Sequence, residues 1–313
     1  MAVDEKLMSQ DLSCNDSVKR TLESKSNTNV KRTLVLDLDS TLIYSSGDMD
    51  AYAKLNLYSD PRRLKHRLRV YKIEMIDVFG LPGVGEKTQM WGIFRPFVFE
   101  FLRIISQYYN IVIWTAGQYK YGHAIVEKLF STNDIRPVKI LTNEDCSSRE
   151  ANLHKPLSKI YSLLPEANET NTLALDDRDE TFQKNPYNGI QIPAYEPRFT
   201  AKGIMAVDQN LQKLLCWLSL PHVVGATDVR YLDKSKIFTT SLDEYRKQLE
   251  DTMSPPVPPM KEATPEPVKS DEKQSLITPT NSAPSISKRT EDTQRPSFFS
   301  SFFPSVRVVP KIT

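Results

Sequence analysis

Asp37 and Asp39 stand two residues apart, with Thr41 two further on, inside the run Thr33 to Ser46. Side chains alternate across an extended chain, so the two carboxylates start on one face and repel each other unless a cation or a proton intervenes. A hard ion such as Mg²⁺, which takes oxygen ligands and keeps several waters, suits the pair. Beside it one Asp stays ionised as a nucleophile, while the other, its pKa raised, serves as acid and then base. The ordinary alternative is a turn or helix N-cap. A calcium loop needs Gly at position 6 and Glu at position 12, where this chain has Leu42 and Asp48, and is excluded.

What must position these acids is a strand. Thr33 to Leu36 is a short, mostly branched apolar run, and in α/β sheets ligands bind where such strands end. From Arg95 the pattern alternates. Pro96 suits the first turn of a helix carrying Phe97, Phe101, Leu102, Ile105 and Tyr108 on one face. A strand Ile111 to Trp114 ends at Thr115-Ala116-Gly117, a helix covers about 120–130, and a strand runs from Val138 to Leu141. A loop with Glu144, Asp145 and Arg149 leads to Lys155, and Pro156 opens a helix bearing Leu157, Ile160, Tyr161 and Leu164. The strand Thr172 to Leu175 runs into Asp176 and Asp177; a strand at Ile190 to Ile192 and a helix at about 207–218 close the core.

Helices between strands mean crossovers, so the fold class is α/β: a Rossmann-like, mostly parallel sheet flanked by helices. Parallel strands bring Asp37 and Asp39, Thr115, and Asp176 with Asp177 to one edge, and Lys155 lies just ahead of a helix between the last two. Acids for a cation, and a hydroxyl and a lysine for an anion, are what phosphoryl transfer requires. Taken singly, each has an ordinary reading as a strand end, a solvated lysine or a turn; their order and placement together favour the site.

The remainder sets boundaries. The chain has 313 residues and a net charge of +2, so global charge does not call for nucleic acid. Cys14, Cys146 and Cys216 are too few and scattered for a disulfide framework or a zinc site, which fits a reducing compartment. No apolar run approaches the ~18 residues of a membrane span, and no signal-peptide core opens the chain. A monomer inside the cell, nuclear or cytoplasmic, with no membrane partner, is expected. Residues 1–30 read as a mobile polar arm and 31–250 as the folded domain, with an insertion at about 47–93 expected to form a small antiparallel sheet. That insertion holds a basic run, Arg62 to Lys72. Its stretch Gly80 to Thr88 is not a P-loop, because Glu86 separates Gly85 from Lys87 and no helix follows; it reads as a hairpin turn. Ser241 and Glu244 make a capping box for a last helix. Residues 251–313 form a disordered Pro/Ser/Thr-rich tail: beyond Met253 lie 11 of the 21 prolines and no glycine, then Phe298, Phe299, Phe302 and Phe303.

Five segments carry a resemblance: Leu36 to Ser46, Arg95-Pro96, Ile113 to Gly117, Lys155 to Ile160 and Leu175 to Asp179. Over about Thr33 to Leu220 the sequence resembles the haloacid dehalogenase superfamily of aspartate-nucleophile phosphatases. Within it, the likeness is to the FCP/SCP-like branch acting on the C-terminal domain of RNA polymerase II. The resemblance implies Asp37 as nucleophile and Asp39 as general acid/base, the latter also lending a backbone carbonyl to Mg²⁺. It implies that Thr115, Ala116 and Lys155 hold the phosphoryl oxygens. Asp177 is then the third metal ligand beside Asp37 and Asp39, Asp176 supports Lys155 or the metal, and Thr41 orients the acidic loop. The expected activity is a Mg²⁺-dependent serine/threonine phosphatase working through an aspartyl phosphate on phosphorylated Ser/Thr-Pro segments. Ser40 departs from the usual acidic residue between Asp39 and Thr41, and Gly117 stands where Ser is common. Two alternatives remain beside this reading: a phosphatase of small-molecule or nucleic-acid-end phosphates, and a non-catalytic interaction protein on the same fold.

Overall fold

The structure is a computed structural model and describes residues 31–78, 83–131, 135–149 and 152–251. The readings for residues 1–30, for the tail beyond Asp251 and for Phe79 to Pro82 lie outside the described residues.

Five parallel strands form the main sheet: β1 (Arg32–Leu36), β5 (Tyr109–Trp114), β6 (Lys139–Leu141), β9 (Thr172–Asp176) and β10 (Gly189–Gln191), in the order β10-β9-β1-β5-β6. The acid-bearing strand β1 is therefore central. Its register, Leu36 opposite Ile113 on one side and Leu175 on the other, carries all three strand ends to the same level. Leu34, Val35 and Leu36 are buried, as expected of a parallel strand covered on both faces. Val35 packs with Val112, Trp114, Ala174, Leu157 and Ile160 in one core layer. The helix Ser158–Leu163 backs that layer; Val98–Ile105, Tyr119–Phe130 and Asn210–Leu218 are further helices around the sheet, and the helix expected after Ser241 is Leu242–Asp251.

The insertion contributes β3 (Val70–Ile76) and β4 (Lys87–Phe94) to an antiparallel sheet, β2-β4-β3, whose remaining strand β2 (Ile43–Ser46) precedes it; the short helices Met49–Lys54 and Leu64–Arg69, which the sequence did not suggest, also lie within it. The hairpin reading of its turn fits the register, which pairs Ile76 with Lys87. Asp77 anchors that turn by accepting from the backbone N–H groups of Gly83, Gly85 and Glu86. The sheet has its own core, where Trp91 and Ile93 pack with Leu55, Leu57, Tyr195 and Ile204.

Three details differ from the sequence expectation. The helix after Pro96 begins at Val98, because Phe97 adopts a left-handed φ of 69° from which no helix can continue, and it ends at Ile105, leaving Tyr108 outside. The helix expected from about residue 207 begins at Asn210, since the Asp208 carboxylate captures the Asn210 N–H in a turn. Between β6 and Lys155 lies an unforeseen hairpin, β7 (Ser147–Arg149) and β8 (Asn152–His154). Its strands are three residues each and hold one apolar residue, Leu153, between them, too short an alternation to read.

Arg95 ties the two sheets together. Its guanidinium is buried and donates to the Thr41 carbonyl (2.9 Å), the Pro193 carbonyl (2.7 Å) and both carboxylate oxygens of Asp208 (3.0 Å each). A lysine cannot reproduce this fork. Arg95→Lys is expected to lower stability by about 2–4 kcal/mol, read as a shifted urea midpoint at constant slope, because buried acceptors lose their partners.

Candidate active site

The loop after β1 presents the acids. Leu38 O accepts from the N–H groups of Thr41, Leu42 and Ile43, a tight turn that places Ser40 at a left-handed φ of 57°. The Tyr195 N–H holds the Ser40 carbonyl at 2.7 Å, and Arg95 grips the Thr41 carbonyl. A strained turn gripped from both sides marks a position where geometry is imposed by the surroundings.

Lys155, the first residue after β8, reaches into this loop. Its ammonium donates to Asp37 Oδ1 at 2.5 Å and to Asp176 Oδ2 at 2.6 Å. All three side chains are nearly solvent-free. Carboxylate oxygens of Asp37, Asp176 and Asp177 lie within 4.8 Å of one another. The Thr41 hydroxyl donates to Asp177 Oδ1 (3.4 Å), and Asp176 Oδ1 accepts from the Arg178 N–H (3.0 Å).

The electrostatics follow from three acids sharing one base. Burial pushes the Asp37 pKa well above the carboxylate range; Lys155 opposes this, while Asp176, Asp177 and Asp39 add to it. Asp177 is raised to about 6 by burial and by Asp176. Burial disfavours the Lys155 ammonium too, but Asp176 and Asp37 outweigh it and keep the group charged. Ionised together, the three acids would carry more negative charge than Lys155 offsets, and a divalent cation would neutralise the excess. Clustered buried carboxylates are the hard oxygen donors Mg²⁺ takes, so the residues fit that ion.

Asp39 is arranged differently. Its carboxylate stands apart from the trio, and its Oδ1 accepts from the hydroxyl of Tyr121 on the helix Tyr119–Phe130. Burial raises its pKa to about 6, with the Tyr121 and Ser45 hydroxyls drawing it back down. Thr115 is buried just past the end of β5, one residue beyond the level of Asp37, and its Oγ1 accepts from the Gly117 N–H at 2.9 Å. Ala116 beside it is partly exposed.

The structure therefore brings Asp37, Lys155, Asp176, Asp177 and Thr41 into one connected cluster. Asp39 sits on the same loop with its carboxylate turned to Tyr121, and Thr115 and Ala116 line the neighbouring strand end. Sequence reasoning missed Tyr121, Ser45 and Tyr71. Tyr121 falls on the apolar face with Ile125 and Leu129 and reads as core; the one available hint is Gly92 inside β4, since glycine within a strand marks a close approach.

A parallel sheet whose central strand ends in paired aspartates, with a lysine and further acids on adjoining segments, defines a phosphatase of the haloacid dehalogenase type. Residues 32–230 match the NLI interacting factor-like phosphatase family, and the chain belongs to it, in the FCP/SCP-like branch of that superfamily. Among its relatives is a Dictyostelium discoideum protein named "Probable C-terminal domain small phosphatase", 29% identical over 208 residues, which are 66% of this chain and 55% of the relative. Another is the Danio rerio CTD nuclear envelope phosphatase 1B, 28% identical over 67% of this chain and 76% of its own length. A solved structure of fission yeast RNA polymerase II CTD phosphatase Fcp1 bound to beryllium fluoride covers 58% of this chain and 45% of its own. It has a TM-score of 0.44 at 22% identity. The chain thus spans between 45% and 76% of the length of these proteins. Among the described residues no helix is long and apolar enough to cross a membrane.

Proposed function

We propose that this chain is a Mg²⁺-dependent phosphoprotein phosphatase that removes phosphate from serine or threonine through an aspartyl phosphate on Asp37. The observation that carries the reading is the junction at Lys155, whose ammonium bridges Asp37 and Asp176 while Asp177 lies within reach of both. Asp37, Asp177 and the Asp39 carbonyl would hold the metal, with Asp176 at its margin. The bound ion would neutralise the acids and polarise the phosphoryl group.

In the first step an oxygen of Asp37 attacks phosphorus, and the bond from phosphorus to the serine or threonine oxygen breaks. Asp39 gives its proton to that departing oxygen. In the second step water attacks the same phosphorus, Asp39 takes the water's proton, and the Asp37–phosphorus bond breaks to release inorganic phosphate. An acid with a pKa raised to about 6 is suited to both directions of transfer near neutrality. An ammonium has three protons, and Lys155 spends two on carboxylates, which leaves one N–H for a phosphoryl oxygen. Thr115 and Ala116 would hold the remaining oxygens. Relatives named as C-terminal-domain and CTD phosphatases support a polypeptide substrate, and we take its phosphorylated residue to lie in a Ser-Pro or Thr-Pro segment.

The test compares a phosphoserine-proline peptide with a 3′-phosphorylated oligonucleotide, each with Mg²⁺ and with chelator. Peptide turnover that vanishes with chelator and returns with Mg²⁺ is expected. Faster release from the oligonucleotide would favour the nucleic-acid-end alternative and give the basic segment Arg62 to Lys72 a role. Turnover unaffected by chelation would remove the metal from the scheme.

A further inference from the structure

Behind Asp39 lies a chain of buried hydroxyls. Tyr121 donates to Asp39 Oδ1, Ser45 Oγ lies 2.5 Å from the Tyr121 hydroxyl, and the Tyr71 hydroxyl lies 2.6 Å from Ser45 Oγ. Each hydroxyl has one proton to give. Because Tyr121 spends its proton on Asp39, it can only accept from Ser45, and Ser45, its own proton used, can only accept from Tyr71. The chain is therefore oriented from Tyr71 through Ser45 and Tyr121 to Asp39.

Two further observations bear on it. Among the described residues Asp39 Oδ2 is buried without a hydrogen-bond partner. A Cβ at Gly92 would fall 2.2 Å from the Tyr71 hydroxyl, so glycine there makes the seat in which the outermost member of the chain rests. Tyr71, Tyr121 and Ser45 come from β3, the helix Tyr119–Phe130 and β2, so the chain also joins the inserted sheet to the main domain at this point.

We propose that Tyr121, backed by Ser45 and Tyr71, is a positioning residue for Asp39: it holds Oδ1 as an acceptor and so fixes the rotation of the carboxyl group that exchanges protons with the substrate. This rests on the reading of Asp39 as the acid/base. A carboxyl group without such a clamp can rotate about its own bond and present either oxygen, so proton delivery to the departing oxygen loses its geometry.

The experiment measures kcat/KM for phenyl phosphate and p-nitrophenyl phosphate, whose leaving groups differ in basicity and little in shape. This constant reports only steps through phosphorylation of the enzyme, so the shared hydrolysis step does not mask the effect. Tyr121→Phe, which keeps the ring, is expected to lower the phenyl phosphate value by about 10- to 100-fold and the p-nitrophenyl value by roughly threefold or less. Ser45→Ala and Tyr71→Phe are expected to act in the same sense and more weakly. Equal losses on both substrates, or no loss, with near-ultraviolet circular dichroism unchanged, would overturn the proposal. Asp39→Asn separates the two levels. If it lacks leaving-group selectivity, the acid/base reading fails and takes this inference with it. If it is selective while Tyr121→Phe is not, only the hydroxyl chain is refuted.

Discussion

Asp37→Asn is expected to lose roughly 10⁴-fold or more in kcat and, at the same time, to melt at a higher temperature than the wild type. The first effect follows from the covalent role proposed for Asp37, because an amide oxygen is a poor nucleophile and removing such a group removes the pathway. The second follows from its surroundings. Burial lifts the Asp37 pKa well above its usual value of 3.8, with only Lys155 among its neighbours opposing the shift. A carboxyl whose pKa is higher in the folded than in the unfolded state favours folding at low pH. That contribution is lost as pH rises from the unfolded toward the folded value. At neutral pH an ionised Asp37 therefore costs stability, and asparagine, which still accepts a hydrogen bond from Lys155, does not incur this cost. The melting difference should be near zero below about pH 4 and grow toward neutrality, at roughly 2–4 °C for each kcal/mol. Added Mg²⁺ should narrow it by stabilising the wild type more than the variant. Thermal melts from pH 3.5 to 7.5 check this, and a variant less stable at pH 7 than at pH 4, relative to wild type, would contradict it.

Lys155→Met should be costly on both counts. The ammonium is the one cation within hydrogen-bond range of Asp37 and Asp176 among the described residues, and all three groups are buried. Methionine keeps the chain length and leaves two buried carboxylates facing each other. Breaking a buried pair in this way costs about 3–5 kcal/mol. Activity should fall by about 10²–10³-fold as a charge aimed at the phosphoryl oxygens disappears. Because the variant carries more uncompensated negative charge, Mg²⁺ should recover more stability in it than in the wild type. Urea unfolding of both proteins, with Mg²⁺ and with chelator, measures the four values. A variant as stable as the wild type in chelator would show that Lys155 does not hold the acids together.

The placement of Asp37 and Asp39 at a strand end was legible because it is local, four apolar residues and two carboxylates; that the two carboxylates turn apart, Asp37 to Lys155 and Asp39 to Tyr121, was not. Thr115, Lys155, Asp176 and Asp177 were legible one step further out, since alternating helices and strands force parallel pairing and collect strand ends at one edge. The small antiparallel sheet and its hairpin were readable from the turn residues and from the absence of a helical pattern between Gln89 and Arg95.

What the one-dimensional pattern could not settle is where the polar ends of buried side chains point. Arg95 meets Asp208 across more than a hundred residues, and nothing near either residue announces the other. Tyr121 occupies a helix face that reads as core, yet its hydroxyl reaches Asp39, 82 residues away in the sequence. The left-handed backbone at Ser40 and Phe97 is likewise imposed from outside, since neither residue type prefers it. Apolar spacing records which faces are buried, because burial is set by the period of the chain. It does not record which buried donor finds which acceptor, because that depends on how the layers stack, and the partners meet only after they have.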